Sequence, residues 1–266
     1  MNFRVIKWNS IGTFGTFLIA LAAFFRPDIE ALIKGNNVVA TLPHEFVFNH
    51  RIGVLWVLPW VDIKNEGAKS IDIREISIYL INPDRKFIKL TGDSYINRAF
   101  GDADYFPWTT LTLKPDQRWV DRVNFREPLD QISEEKFRSI IAELGEHWGG
   151  LDLQTFLEST TGKMTIINDN NKLLHESKKF FKENFKLTHG HYKMLLVLKS
   201  DKNEIITSSA YELTLFESTI SSLEKRVDEY LNSSKSFFDG SLLTSIPLIP
   251  IESQSEINEI IKYINP

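Results

Sequence analysis

The stretch Val54-Leu-Trp-Val-Leu-Pro-Trp-Val-Asp-Ile-Lys64, closed by Asn65-Glu66-Gly67, decides how this chain folds. β-Branched and aromatic residues dominate it, Val61 and Ile63 alternate with polar neighbours, and turn residues follow. It reads as one long strand, Val54 to Lys64, entering a turn. Downstream, Ile71, Ile73, Ile76, Ile78 and Leu80 keep the two-residue period but slip by one at Arg74-Glu75, the mark of a β-bulge. Asn82-Pro83-Asp84 is the next turn and Phe87 to Leu90 the next strand. A polar and aromatic loop runs from Gly92 to Trp108; Thr109 to Leu113, a Pro115-Asp116 turn and Trp119 to Phe125 then form a hairpin. Upstream, Val38 to Leu42 and Glu45 to Arg51 are short strands.

The pattern changes after residue 127. Ser133 is placed to cap a helix whose apolar face carries Phe137, Ile140, Ile141 and Leu144, and Asn171 to Phe185 is a second helix. Residues 128–187 therefore read as a helical insertion. Strands resume at Tyr192 to Lys199 and Glu204 to Phe216 across a polar turn, followed by a helix from Thr219 to Ser233 and a short C-terminal helix. Short strands separated by turns predict an antiparallel β-sandwich, with a mixed α+β meander as the alternative. The expected fold is mainly β: an immunoglobulin-like sandwich from 36–127 and 188–217, with 218–266 as helix and tail. Gly190-His191-Tyr192 followed by Met194, Leu196 and Leu198 looks like an F-type strand with a tyrosine corner.

Residues 1–35 carry a different signal. No residue from Trp8 to Phe25 is charged, Arg4 and Lys7 precede the run, and Arg26 follows it. At about 1.5 Å per residue such a helix just spans a bilayer core. The expectation is a single transmembrane helix in a cell inner membrane. Ala20-Leu21-Ala22 also matches a signal-peptidase pattern, which would make the product periplasmic or secreted, and a buried core helix is the third reading. Gly12, Thr16, Ala20 and Ala23 share one face, the small-residue spacing that lets helices associate in lipid. Gly, Thr and Ala are also simply common in apolar helices.

The run Ile11-Gly12-Thr13-Phe14-Gly15, the apolar helix, Phe25-Arg26-Pro27 and the strands behind them resemble a group of bacterial proteins of unknown function. Those proteins pair a short N-terminal anchor with an immunoglobulin-like domain, and some come from defence or mobile-element loci. The resemblance covers mainly 8–126 and 190–216. It implies a cytoplasmic domain and carries over no catalytic residue.

Composition narrows the function classes. Hydrophobic residues at 42% and charged residues at 25% exclude wholesale disorder, and a net charge of −4 argues against a dedicated nucleic-acid binder. The absence of cysteine excludes disulfides, thiol catalysis and thiolate-bound zinc. His189-x-His191 puts two rings on one strand face without a completing carboxylate, and Gly101-Asp102-Ala103-Asp104-Tyr105 lacks the later ligands of a calcium loop. Lys178, Lys179, Lys182 and Lys186 beside Phe180, Phe181 and Phe185 form either a lipid-facing stripe or a helix with one buried side. The loop aromatics Tyr105, Phe106 and Trp108 are candidates for a partner surface. No catalytic, cofactor-binding or metal residue is assigned. The expected function is a membrane-anchored, non-enzymatic interaction module, in a bacterial defence or stress setting. Its expected partners are the lipid bilayer, a protein and a second copy of the chain, with no nucleic acid. Two alternatives are a membrane-perturbing effector that clusters through its anchor and an exported envelope enzyme or ligand-binding protein.

Overall fold

The computed structural model describes residues 37–97, 104–149, 172–232 and 244–264. Within them the chain order is β1 (Val38–Thr41), β2 (Glu45–Arg51), β3 (Val54–Val57), β4 (Trp60–Asn65), β5 (Ile71–Ile73), β6 (Glu75–Ile81), β7 (Phe87–Asn97), β8 (Asp104–Pro107), β9 (Leu111–Leu113) and β10 (Arg118–Arg126). Helices α1 (Gln131–Gly149) and α2 (Lys172–Asn184) follow, then β11 (Gly190–Lys199), β12 (Ile205–Leu215), α3 (Glu217–Asn232), β13 (Thr244–Pro247), β14 (Ile249–Ile251) and α4 (Gln254–Ile264).

The sheet corrects the sandwich expectation. A sandwich needs two ladders that face each other without hydrogen bonds between them. Here 12 strands belong to one sheet, and its ladder runs β4-β10-β7-β6-β11-β12 without a break, with β1 beyond β4. The ends approach each other: Ser209 Oγ on β12 donates to Ala40 O on β1, and the Leu42 N–H donates to Tyr211 Oη at 2.8 Å. The result is a nearly closed antiparallel barrel. β10 makes it possible, because its length lets residues 118–122 pair with β4 and residues 125–126 with β3 while its other edge holds β7.

Alternation fills the interior. Val61, Ile63, Ile76, Ile78, Leu80, Val123, Phe125, Met194, Leu196 and Leu213 are all buried in one cluster. Gly92 sits where β7 bends inward at the β10 bulge; a Cβ there would lie 2.5 Å from Ile76 Cγ2. Tyr192 is buried, its hydroxyl donating to Thr188 O at 3.0 Å and accepting from the Thr188 N–H at 3.1 Å. Outside the barrel, Ile257, Ile260 and Ile264 of α4 cover Tyr79, Leu195 and Val197. A third cluster joins α1, α2 and α3 to the β2–β3 hairpin tip, where Ile52 and Gly53 both take positive φ, the twist a two-residue hairpin requires.

Several expected boundaries move. Val54 to Lys64 is two strands, not one: Pro59 has no N–H to give to a ladder, and β3 ends at Val57. The strand from Phe87 runs on to Asn97 and β8 occupies 104–107, so most of the expected 92–108 loop is sheet. β9 and β10 do not pair; β9 joins β5 in a separate two-stranded sheet. The cap of α1 is Asp130 rather than Ser133, since its Oδ1 accepts from the Ile132 and Ser133 N–H groups, each at 3.0 Å.

No helix among the described residues is long and apolar enough to cross a membrane, and the single-pass inner-membrane placement is corrected on that finding. The uncharged run on which it rested, with Gly12, Thr16, Ala20 and Ala23, lies outside the described residues.

A candidate binding face on strand β10

β10 divides its residues between two environments. Val123 and Phe125 are fully buried in the barrel, whereas Arg122, Asn124 and Arg126 line clefts on its outer side. Register then decides what stands beside them. Arg122 is paired with Trp60 on β4, and Arg126 with Trp56 on β3. Cross-strand neighbours lie close enough to interact directly, and the first of these pairs brings guanidinium and indole together.

The Arg122 Cζ lies 5.1 Å from the Trp60 ring centroid, and the Arg51 Cζ, from the end of β2, lies 5.5 Å from that of Trp56. Arg126 stands 5.3 Å from the Phe137 ring of α1 and is ion-paired to Glu134. Burial pushes the Glu134 carboxyl up, but the bond from Arg138 and the charge of Arg126 outweigh it and hold it below its usual value. Asn124 locks the centre: its Nδ2 donates to Asp93 Oδ1 at 2.7 Å, and its Oδ1 accepts from Trp56 Nε1. Trp56 is thus held by Arg51 over its ring and by Asn124 at its Nε1.

Two depressions share Trp56 as a wall. One, of about 320 Å³, is lined by Arg51, Trp56, Asp93, Tyr105, Asn124, Arg126 and Phe137. The other, of about 280 Å³, is more apolar and is lined by Pro43, Val47, Val57, Leu58, Pro59, Trp60 and Arg122, with Glu45 and Asn49 at its side. Neither the Arg51 nor the Arg122 guanidinium meets a carboxylate or hydrogen-bond acceptor among the described residues, and Arg122 Nε is buried without a partner. A stacked cation keeps its in-plane N–H groups available, so the face can hold an anion by charge while the indoles contact a planar or apolar group.

Of the expected partner-surface residues, only Tyr105 faces this site; it is 56% exposed and lines the first depression. Phe106 stacks on Tyr95 at 5.7 Å, and Trp108 packs edge-on against Tyr95 and Trp119 while its Nε1 donates to Arg74 O at 2.9 Å. Trp108 belongs to the barrel's packing layer, and Phe106 is half-buried against Tyr95, itself part of that layer. The lysine stripe on α2 is largely spoken for: Lys178 pairs with Asp228, Lys179 with Glu183 and Lys186 with Glu127, while Phe180 and Phe181 are buried. Of the histidine pair, His191 Nδ1 lies 2.9 Å from Thr214 Oγ1, and no three metal-binding side chains cluster among the described residues.

Sequence reading missed Arg51, Trp56, Trp60, Arg122 and Arg126. The one available signal was Arg122-x-Asn124-x-Arg126 in a strand, three polar positions on a single face. Such positions usually face only water, and nothing in the sequence shows that tryptophans stand opposite them.

Comparison with known proteins adds little. No family model matches the chain, and no curated protein matches it. Among solved structures, a β-glucosidase from Kluyveromyces marxianus in complex with glucose is similar over 68% of this chain and 15% of its own, at 11% identity. With a TM-score of 0.22, that likeness carries no argument about fold or function.

Proposed function

We propose that the chain is a non-enzymatic binding module whose barrel presents the outer face of β10 to an anionic ligand with a planar or apolar group. One observation carries this reading: Arg51 and Arg122 rest on indole rings without an acceptor among the described residues, in a chain whose net charge is −4. They border depressions near the size range of small-molecule sites.

Tryptophan fluorescence tests it directly, since Trp56 and Trp60 are walls of the site. Benzoate and phenyl phosphate should each give a saturable change that weakens with added salt, whereas neutral benzyl alcohol should not. Replacing Arg51 with Gln should weaken phenyl phosphate binding about tenfold or more, the usual contribution of a charge-assisted bond. If neither anion saturates, or benzyl alcohol binds as well as they do, the reading is wrong.

A further inference from the structure

We propose that the groove beside Trp60 takes the hydrocarbon part of a small alkyl carboxylate, with the Arg122 guanidinium receiving the carboxylate. This inference rests on the binding reading above and narrows it to a ligand class.

Three features of the groove converge. Its walls are mostly apolar: Val57, Leu58, Pro59 and Trp60 come from one continuous segment, and Pro43 and Val47 line it as well. Trp56 and Trp60, an even number of residues apart, both line it, with Leu58 and Pro59 between the end of β3 and the start of β4.

The second feature is the placement of one positive charge. Arg122 is the one cation among the described lining residues; its Nε is buried and lacks a hydrogen-bond partner, and its Cζ is parked 5.1 Å over Trp60. The terminal guanidinium nitrogens, which meet no acceptor among the described residues, are the groups that can receive an incoming oxyanion. A planar guanidinium matches a planar carboxylate in a two-bond fork. Glu45 also lines the groove, its Oε2 accepting from Ser245 Oγ at 2.9 Å. Its negative charge opposes a dianion more than a monoanion, which favours carboxylate over phosphate.

The third feature is size. A volume of about 280 Å³ suits a small molecule and not a folded partner.

The test is a homologous series read by tryptophan fluorescence: butanoate, hexanoate and octanoate, with octylamine as the charge-reversed probe. Affinity should rise about fourfold per methylene until the groove is full. Arg122→Gln should weaken every carboxylate about tenfold, and Trp60→Ala should flatten the chain-length dependence. Arg118→Gln, on the same strand but paired with Asp62, should change neither. Equal affinity for all three carboxylates, or octylamine binding as tightly as octanoate, overturns the inference. So does an equal loss in Arg118→Gln. If benzoate still binds in those cases, the binding reading survives; if no anion binds at all, both fail together.

Discussion

Lowering the pH should destabilise this protein through His50 before most of its carboxylates respond. The ring is fully buried at the end of β2. Its Nε2 lies 2.7 Å from Leu223 O on α3, and its Nδ1 accepts from the Gly53 N–H at 3.2 Å. Those partners specify a neutral ring with its proton on Nε2. Burial depresses the pKa from 6.5 to about 4, against the stabilising Leu223 carbonyl and with help from the nearby Arg226 charge. The unfolded chain therefore takes up the proton first. The stability that neutral His50 confers is complete above pH 6.5 and is lost as the pH falls from there towards 4. At about 1.4 kcal/mol per pH unit, the loss between pH 7.5 and 5 is about 2 kcal/mol. Urea unfolding of wild type and His50→Gln at pH 7.5, 6 and 5 measures it. The variant keeps a donor for Leu223 but cannot titrate, so its stability should fall less steeply by that amount. Asp62, held below its usual range by its bond from Arg118, titrates in both proteins and cancels in the difference. Parallel curves for the two proteins would refute the reasoning.

Two further perturbations probe the barrel. Gly92→Ala forces a methyl group against Ile76 and Val123 and should lower stability by about 1–3 kcal/mol in chemical unfolding, without changing the slope of the transition. Tyr192→Phe strips the Thr188 N–H of its acceptor and should lower the unfolding free energy by about 1–3 kcal/mol, with the far-ultraviolet spectrum unchanged.

Much of the local structure was legible in residue order. Glu45 to Arg51 is a strand as read, and α2 spans Lys172–Asn184 where a helix from Asn171 to Phe185 was expected. The Asn82-Pro83-Asp84 turn forms with Asn82 Oδ1 accepting from the Lys86 N–H at 2.9 Å. Each of these depends on neighbours a few residues apart, where periodicity, capping and turn chemistry act. The binding face was not legible, because its cations and rings come from β2, β3, β4 and β10, and the pairing of Arg122 with Trp60 spans 62 positions between those residue numbers.

Two-residue alternation determined which side chains of each strand turn inward, and so the strong β character and the identity of most core residues. It is silent on whether the sheet closes, because the inner face of a sandwich and the interior of a barrel impose the same period. Closure was decided only in three dimensions, by a β10 long enough to pair along both edges and by β12 meeting β1 through Ser209 and Tyr211. The pairing of β10 with β4 set the register that carries Arg122 onto Trp60. Hydrogen-bond partners far apart in the chain are chosen by the assembled sheet, and no local pattern encodes that choice.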